Sequence, residues 1–306
     1  SAAAINRNRT NNSAIPTLED KNNGMEDVDD ISSFFNYKDT VPKIFGRDVF
    51  TNKNLTFEPN INIATPSNYM LGPGDQVIID IWGASQNTFT EKISPDGNIN
   101  VKNLGPVYLN GLTVNEANAY IQRKFSSIYS GVLGGTSSKI KLTLGQIRSI
   151  QINIMGEVSV PGTYTLSAFS SVFHALYSAG GVNEIGSLRN VQVMRNGKQV
   201  AGLDVYDYIL KGKFNDDIRL MDGDVIIVPP YDCLVNISGN VKRPMFYEMK
   251  SSESAATLLH YAGGFTGDAY NKTIRLMRKS GRERQIYNVD DKDFGSFKLA
   301  DGDSVV

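Results

Sequence analysis

Apolar and polar residues alternate through Val77, Ile79 and Ile81, and again through Ile152 and Ile154, the two-residue period of a strand with one buried face. Elsewhere the period lengthens. Val172, Phe173, Leu176 and Ala179 fall at helical spacing, as do Val114, Ala117, Ile121, Phe125 and Ile128. Thr113, three residues before Glu116, predicts a capping box at the start of the second of these helices. Gly180 and Gly181 can take the left-handed conformation that closes the other one. Pro95-Asp96-Gly97 predicts a turn between the strands "FTEKI" and "NINV", and Asn196-Gly197 a two-residue hairpin between "VQVMR" and "KQVAGL".

The pattern repeats. "INIMGEVSVPGTYTL" (152 to 166) returns as "VNISGNVKRPMFYEM" (235 to 249), and "LYSAGGVNEIGSLRNVQVMR" (176 to 195) as "LHYAGGFTGDAYNKTIRLMR" (259 to 278). Gly156 matches Gly239, Pro161 matches Pro244, Tyr164 matches Tyr247, Gly180 and Gly181 match Gly263 and Gly264, and Met194 matches Met277, always at the same offset. A constant offset at so many positions means duplication. Each copy reads as hairpin, helix, hairpin and final strand, a β-grasp plan. The class expected is therefore α+β.

The final strand of each copy opens on a shared frame. "LMDGDVIIVPP" (220 to 230) and "LADGDSVV" (299 to 306) repeat the Leu, two residues, Gly-Asp pattern of "LGPGDQVIIDI" (71 to 81). A phosphate-binding loop must open a helix, whose N-terminal N–H groups converge on the anion. Here a β-branched run follows Asp75, so the frame is a turn into a strand. Gly74, Gly223 and Gly302 stand where φ is positive, and Asp75, Asp224 and Asp303 are placed to bond nearby N–H groups. A calcium loop from Asp222 fails because Ile226 and Cys233 occupy the fifth and twelfth ligand positions.

Composition narrows the chemistry. Across 306 residues, 31 Lys and Arg face 32 Asp and Glu, so the net charge of −1 offers no global basic field for nucleic acid. Length suits two average domains or three or four small ones. No apolar run reaches transmembrane length, and "SAAAINRNRT" has no hydrophobic signal core. The closing "LADGDSVV" reads as an unfinished strand, so the chain is expected to be part of something longer. Cys233 is the single cysteine and reads as a small core residue. His174 and His260 occupy non-equivalent positions of the two copies and read as helix-surface or packing residues. No nucleophile elbow or metal-ligand cluster is present, and no catalytic residue, metal site or cofactor is expected. A carboxylate pair is always available among 32 acids, which keeps a polysaccharide-modifying enzyme as an alternative. Tyr69, Trp82 and Tyr129 are the aromatic candidates for stacking on a sugar. Residues 1 to 33 are Asn-rich and acidic, and Phe34, Phe35, Tyr37, Phe45, Phe50 and Phe57 follow without period. The segment 1–65 is thus expected to be a flexible arm, whose irregular aromatic part packs on the folded part or on a neighbour.

"YMLGPGDQVIIDIWG" and "ISPDGNINVKNLGPVYLNGLTVNEA" resemble the polysaccharide export domain of outer-membrane capsule and exopolysaccharide export proteins. The resemblance rests on Leu71, Gly72, Pro73, Gly74 and Asp75, on Pro95, Asp96 and Gly97, on Leu104 to Val107, and on Gly111 to Thr113 with Glu116. "GEVSVPGTYTL" and "SAGGV" resemble the soluble-ligand-binding β-grasp (SLBB) modules that follow that domain. Asn103 stands where the family usually has Pro, and Pro244-Met245-Phe246-Tyr247 alters the second copy's hairpin. The implied layout is an export domain over 66–148 and SLBB-like modules over 149–231 and 232–306, the last incomplete. The resemblance implies a periplasmic, outer-membrane-associated scaffold in a Gram-negative bacterium, which assembles with copies of itself in a ring. It implies partnership with polysaccharide and with an inner-membrane copolymerase or polymerase. The amphipathic C-terminal helix that spans the membrane in well-known members is absent from these residues, so it is expected beyond Val306 or replaced by further modules or a partner barrel. A glycan-binding or sensing protein that forms no conduit is the alternative of a different class.

Overall fold

Alternation at Val77, Ile79 and Ile81 produces strand β1 (Gln76–Gly83), whose buried face carries those three side chains. In this computed structural model the residues described are 43–50, 66–83, 86–102, 104–126, 138–213 and 219–306. β1 pairs antiparallel with β2 (Asn87–Lys92) on one side and β5 (Ser138–Leu144) on the other. The Pro95-Asp96-Gly97 turn leads into β3 (Asn98–Val101), which pairs with β4 (Gly105–Tyr108) in a separate two-stranded sheet. Helix α1 (Val114–Phe125) starts at a capping box: Thr113 Oγ1 accepts from the Glu116 N–H, and a Glu116 carboxylate oxygen accepts from the Thr113 N–H at 2.8 Å. Those bonds hold the Glu116 carboxyl below its ordinary range. Val114, Ala117, Ile121 and Phe125 are buried, while Ile128 lies outside the described residues. Asn118 locks helix to sheet by exchanging two hydrogen bonds with the backbone of Leu142.

Two five-stranded sheets follow, built on one plan. The first comprises β6 (Ser149–Gly156), β7 (Gly162–Ser167), β8 (Val191–Arg195), β9 (Lys198–Leu203) and β10 (Val225–Val228), in the order β7-β6-β10-β8-β9. The second comprises β11 (Leu234–Ile237), β12 (Met245–Glu248), β13 (Thr273–Ser280), β14 (Glu283–Asp290) and β15 (Ser304–Val305), in the order β12-β11-β15-β13-β14. In each, the last strand lies centrally and runs parallel to the first, while its other partner is antiparallel. α2 (Val172–Ser178) and α4 (Ala255–Tyr261) supply the covering helix, and their buried faces include Phe173 and Leu176 or Leu258 and Leu259. Gly180-Gly181 and Gly263-Gly264 follow these helices with positive φ. The fold is α+β, with four helices and four sheets among the described residues.

One element has no counterpart in the sequence reading. After β9 the first module forms α3 (Val205–Lys211), capped by the Asp204 carboxylate, which accepts from the Tyr206 N–H, and closed by Gly212 at φ +61°. The matching stretch of the second module makes only a 3-10 turn at Asp291–Asp293.

The arm expected over 1–65 also contains a packed piece. Residues 43–50 are held against the two β-grasp modules, so this stretch of the arm packs on the folded part. The Phe45 N–H donates to the Phe246 carbonyl at 2.9 Å, and the Phe246 N–H to the Lys43 carbonyl at 3.0 Å, adding a short parallel rung to edge strand β12. Phe45 then buries its ring between Tyr206 and Tyr247, with centroids 5.1 and 5.2 Å away. Phe50 lies 6.1 Å from Phe173. Tyr37 and Phe57 lie outside the described residues, as do Phe34 and Phe35.

Candidate functional site

The Gly-Asp turn is built three times with the same bonds. Gly74, Gly223 and Gly302 have φ of +96°, +82° and +78°. The Asp that follows accepts through its carboxylate from the backbone N–H three residues earlier: Asp75 from Gly72 at 2.9 Å, Asp224 from Met221 at 2.8 Å, Asp303 from Ala300 at 2.8 Å. All three carboxylates are buried. A buried charge requires a partner, and each has an arginine. Arg195 grips Asp224 with two bonds of 2.7 and 2.8 Å, and Arg278 grips Asp303 with two of 2.8 and 2.7 Å. The Nη2 of each guanidinium, besides holding the aspartate, donates to one more carbonyl, that of Arg219 or of Lys298. Asp75 is met by Arg148 Nη1 at 2.6 Å and by the Arg148 N–H at 2.9 Å.

The sequence reading names the glycines and aspartates of these turns but not their arginines. The signal was available: Arg195 and Arg278 close the same repeated block. Arg148 has no such twin and is found only through the fold. The matching glycines at the end of the first strand of each module, Gly156 and Gly239, both have positive φ but different neighbours. A Cβ on Gly156, at φ +84°, would lie 2.2 Å from the Val228 carbonyl oxygen, whereas Gly239 faces Val306 Cγ1. Among the remaining turn residues, Gly97 donates its N–H to the Ser94 carbonyl at 2.9 Å, while Pro95 and Asp96 are exposed at the bend.

Arg189 joins the two β-grasp modules. It is 6% exposed and binds Asp204 of the first module at 3.0 Å and Glu253 of the second at 2.8 Å, while its Nη1 also donates to the Glu248 carbonyl. Its guanidinium lies 4.4 Å from the centroid of the Tyr206 ring. Lys250 adds a second cation through Asp204 at 2.6 Å. The Glu248 side chain crosses the same boundary, accepting from Ser187 Oγ and from the Leu188 N–H at 2.8 Å. Burial pushes the Glu248 carboxyl above the ordinary glutamate range. Burial pushes on Glu253 in the same direction, but its bonds from Arg189, the Lys250 N–H and Tyr261 outweigh it and hold that carboxyl low. This arrangement fixes two modules to one another.

The aromatic candidates separate. Tyr69 is corrected: it is 3% exposed, its hydroxyl donates to Asp75 at 2.9 Å, and its ring packs edge-on against Phe169 at 5.0 Å. A ring that deep, spent on the Asp75–Arg148 cluster, has no face for a ligand. Trp82 remains 42% exposed near the end of β1. Tyr129 lies outside the described residues, as does Asn103. His174 Nδ1 accepts from the Ser171 N–H at 3.1 Å and caps α2, and His260 is exposed beside Tyr261. Cys233 is half-buried rather than core, and burial pushes its thiol up to about 11. Among the described residues no group of three or more His, Cys, Asp or Glu could hold a metal ion. An apolar cleft of about 300 Å³ in the second module is lined by Val241, Leu259, Phe265, Tyr270 and Val306 among others. The first module fills the matching place with its own chain, Ser187 donating to the Pro229 carbonyl and Tyr231 to that of Ile185.

A small two-sheet domain with a capped helix, followed by two β-grasp modules clasped by buried aspartates, defines a modular α+β scaffold. Residues 63–132 match the polysaccharide biosynthesis/export protein family, and residues 151–228 and 234–287 each match the SLBB domain family. The chain carries a polysaccharide export domain followed by two SLBB domains. It is homologous to two proteins of Escherichia coli, both named polysialic acid transport protein KpsD. One is 27% identical over 288 residues, covering 92% of this chain and 50% of that protein; the other is 27% identical over 293 residues, covering 93% and 50%. The chain spans about half the length of these curated relatives. No helix among the described residues is long and apolar enough to cross a membrane.

Proposed function

We propose that this chain is the periplasmic part of an outer-membrane polysaccharide export channel, a ring-forming scaffold that guides capsular or exopolysaccharide outward. One observation carries the reading: an export domain and two SLBB domains succeed one another in a chain homologous throughout to a polysialic acid transport protein. The working limits are 66–148 for the export domain and 149–231 and 232–306 for the modules. The mechanism is positional, without bond chemistry. The buried aspartates support this, since Asp75, Asp224 and Asp303 are each engaged by an arginine. The partners are the polysaccharide, further copies of the chain, and an inner-membrane copolymerase or polymerase.

Deleting the gene in its own organism tests the reading. Surface polysaccharide is expected to fall and polymer to accumulate inside the envelope, with recovery on complementation. Unchanged surface polysaccharide would sink the export role, and release of reducing ends from the purified glycan would replace it with catalysis. Cross-linking the protein in envelopes tests the ring: a ladder ending at one closed size is expected, and monomer alone would remove it.

A further inference from the structure

The β2-β1-β5 sheet has two unlike faces. Val77, Ile79 and Ile81 point inward; the register places Gln76, Ile78, Asp80 and Trp82 on the other side. There Trp82 lies opposite Lys139, Asp80 lies between Thr88 and Lys141, and Gln76 lies opposite Lys92. Directly opposed residues bring their Cβ atoms to about 5 Å, and successive rows on one face are about 7 Å apart. The face is therefore an extended strip about 20 Å long, with an indole at one end and a lysine in three of its rows.

Charge on the strip is one-sided. Lys92, Lys139 and Lys141 are exposed, and none makes an ion pair among the described residues. The one carboxylate, Asp80, accepts from the Thr88 hydroxyl at 2.9 Å. An exposed indole offers a flat apolar surface of the kind that a pyranose ring covers with its C–H face, and unpaired ammonium groups in a row attract an anionic chain. We propose that this face is a glycan-contacting strip for a carboxylate-bearing polysaccharide, with Trp82 as the stacking surface and Lys92, Lys139 and Lys141 as the matching cations. The proposal rests on the export reading and names the substrate class and contact residues that reading lacks.

The test is an NMR titration of the full chain with a sialic acid octamer, beside a neutral glucose octamer of equal length. Expected are shifts of the Trp82 indole N–H and of β1, β2 and β5 amides with the acidic octamer, weakening as salt is raised. Trp82→Ala and the double variant Lys139→Gln/Lys141→Gln should each weaken binding at least tenfold with an unchanged Tm, because these side chains are exposed. Shifts confined to other strands, equal binding by the variants, equal binding of the neutral octamer, or no shifts would each overturn the strip. Shifts of the same amides on raising protein concentration alone would assign the face to contact between copies and overturn it too. Gene deletion reads the export role independently, so a protein required for export whose strip ignores the acidic octamer loses only this proposal.

Discussion

At the scale of single residues, positive backbone angles and buried charges decide most outcomes. Gly74, at φ +96° with Arg148 Cβ 3.2 Å from where a side chain would begin, admits no β-branched residue without strain. Gly74→Val should therefore cost roughly 1–3 kcal/mol, read as a lowered Tm; an unchanged Tm would contradict the turn geometry. The arginine clasps lie on the same scale. Removing one partner leaves a carboxylate buried and uncompensated, which costs about 3–5 kcal/mol. Arg195→Met is expected to unfold the first module at lower denaturant concentration by about that amount, while the paired change Arg195→Met with Asp224→Asn recovers part of the loss. An exposed pair would show neither effect. The glycines of these turns are legible in the sequence because few other residues tolerate positive φ. Of the arginines, Arg195 and Arg278 were marked only by closing the same repeated block and Arg148 by nothing, because alternation and turn chemistry say nothing about which distant side chain meets a buried acid.

Elements depend on how local patterns meet their surroundings. The β-grasp order was readable because each segment had its own signal and appeared twice, so that one copy checks the other. α3 escaped because "VYDYILKG" spans barely two turns, and its cap, Asp204, is also a ligand of Arg189. For the 43–50 segment, packing was legible in the aromatics but its place was not. Its aromatics have no period of their own and take their positions from a groove between two modules. Phe45 is one of its two buried aromatic anchors, with Phe50, and truncating a buried Phe costs about 3–5 kcal/mol. Because the segment can detach without unfolding a module, Phe45→Ala is expected to release it. Hydrogen exchange should then accelerate at the Phe45 and Phe246 amides, while the β6 and β13 amides stay protected. Uniform acceleration across the modules would instead show that the segment is integral to their stability.

For the whole molecule, the junction between the β-grasp modules should carry a readable pH signature. Glu248, with its folded pKa raised by burial, contributes its full share of stability below the ordinary glutamate range and loses it as pH rises through the raised value. Glu253, held low, contributes above the ordinary range and loses its share as pH falls. Glu248→Gln keeps an acceptor for the Leu188 N–H but cannot ionise. The Tm of this variant minus that of the wild type should therefore become more positive between pH 5 and pH 8. A difference that stays flat with pH would mean that Glu248 does not change its charge at the junction.

The position of the closing strands has a consequence for how such a chain is made. In each β-grasp module the strand that comes last in sequence, β10 or β15, lies in the middle of the sheet, between the first hairpin and the second. Neither hairpin touches the other through the sheet until that strand arrives. As the chain emerges from N- to C-terminus, a module thus remains two separate halves until its Gly-Asp turn is free. Contacts between segments so far apart in sequence form slowly.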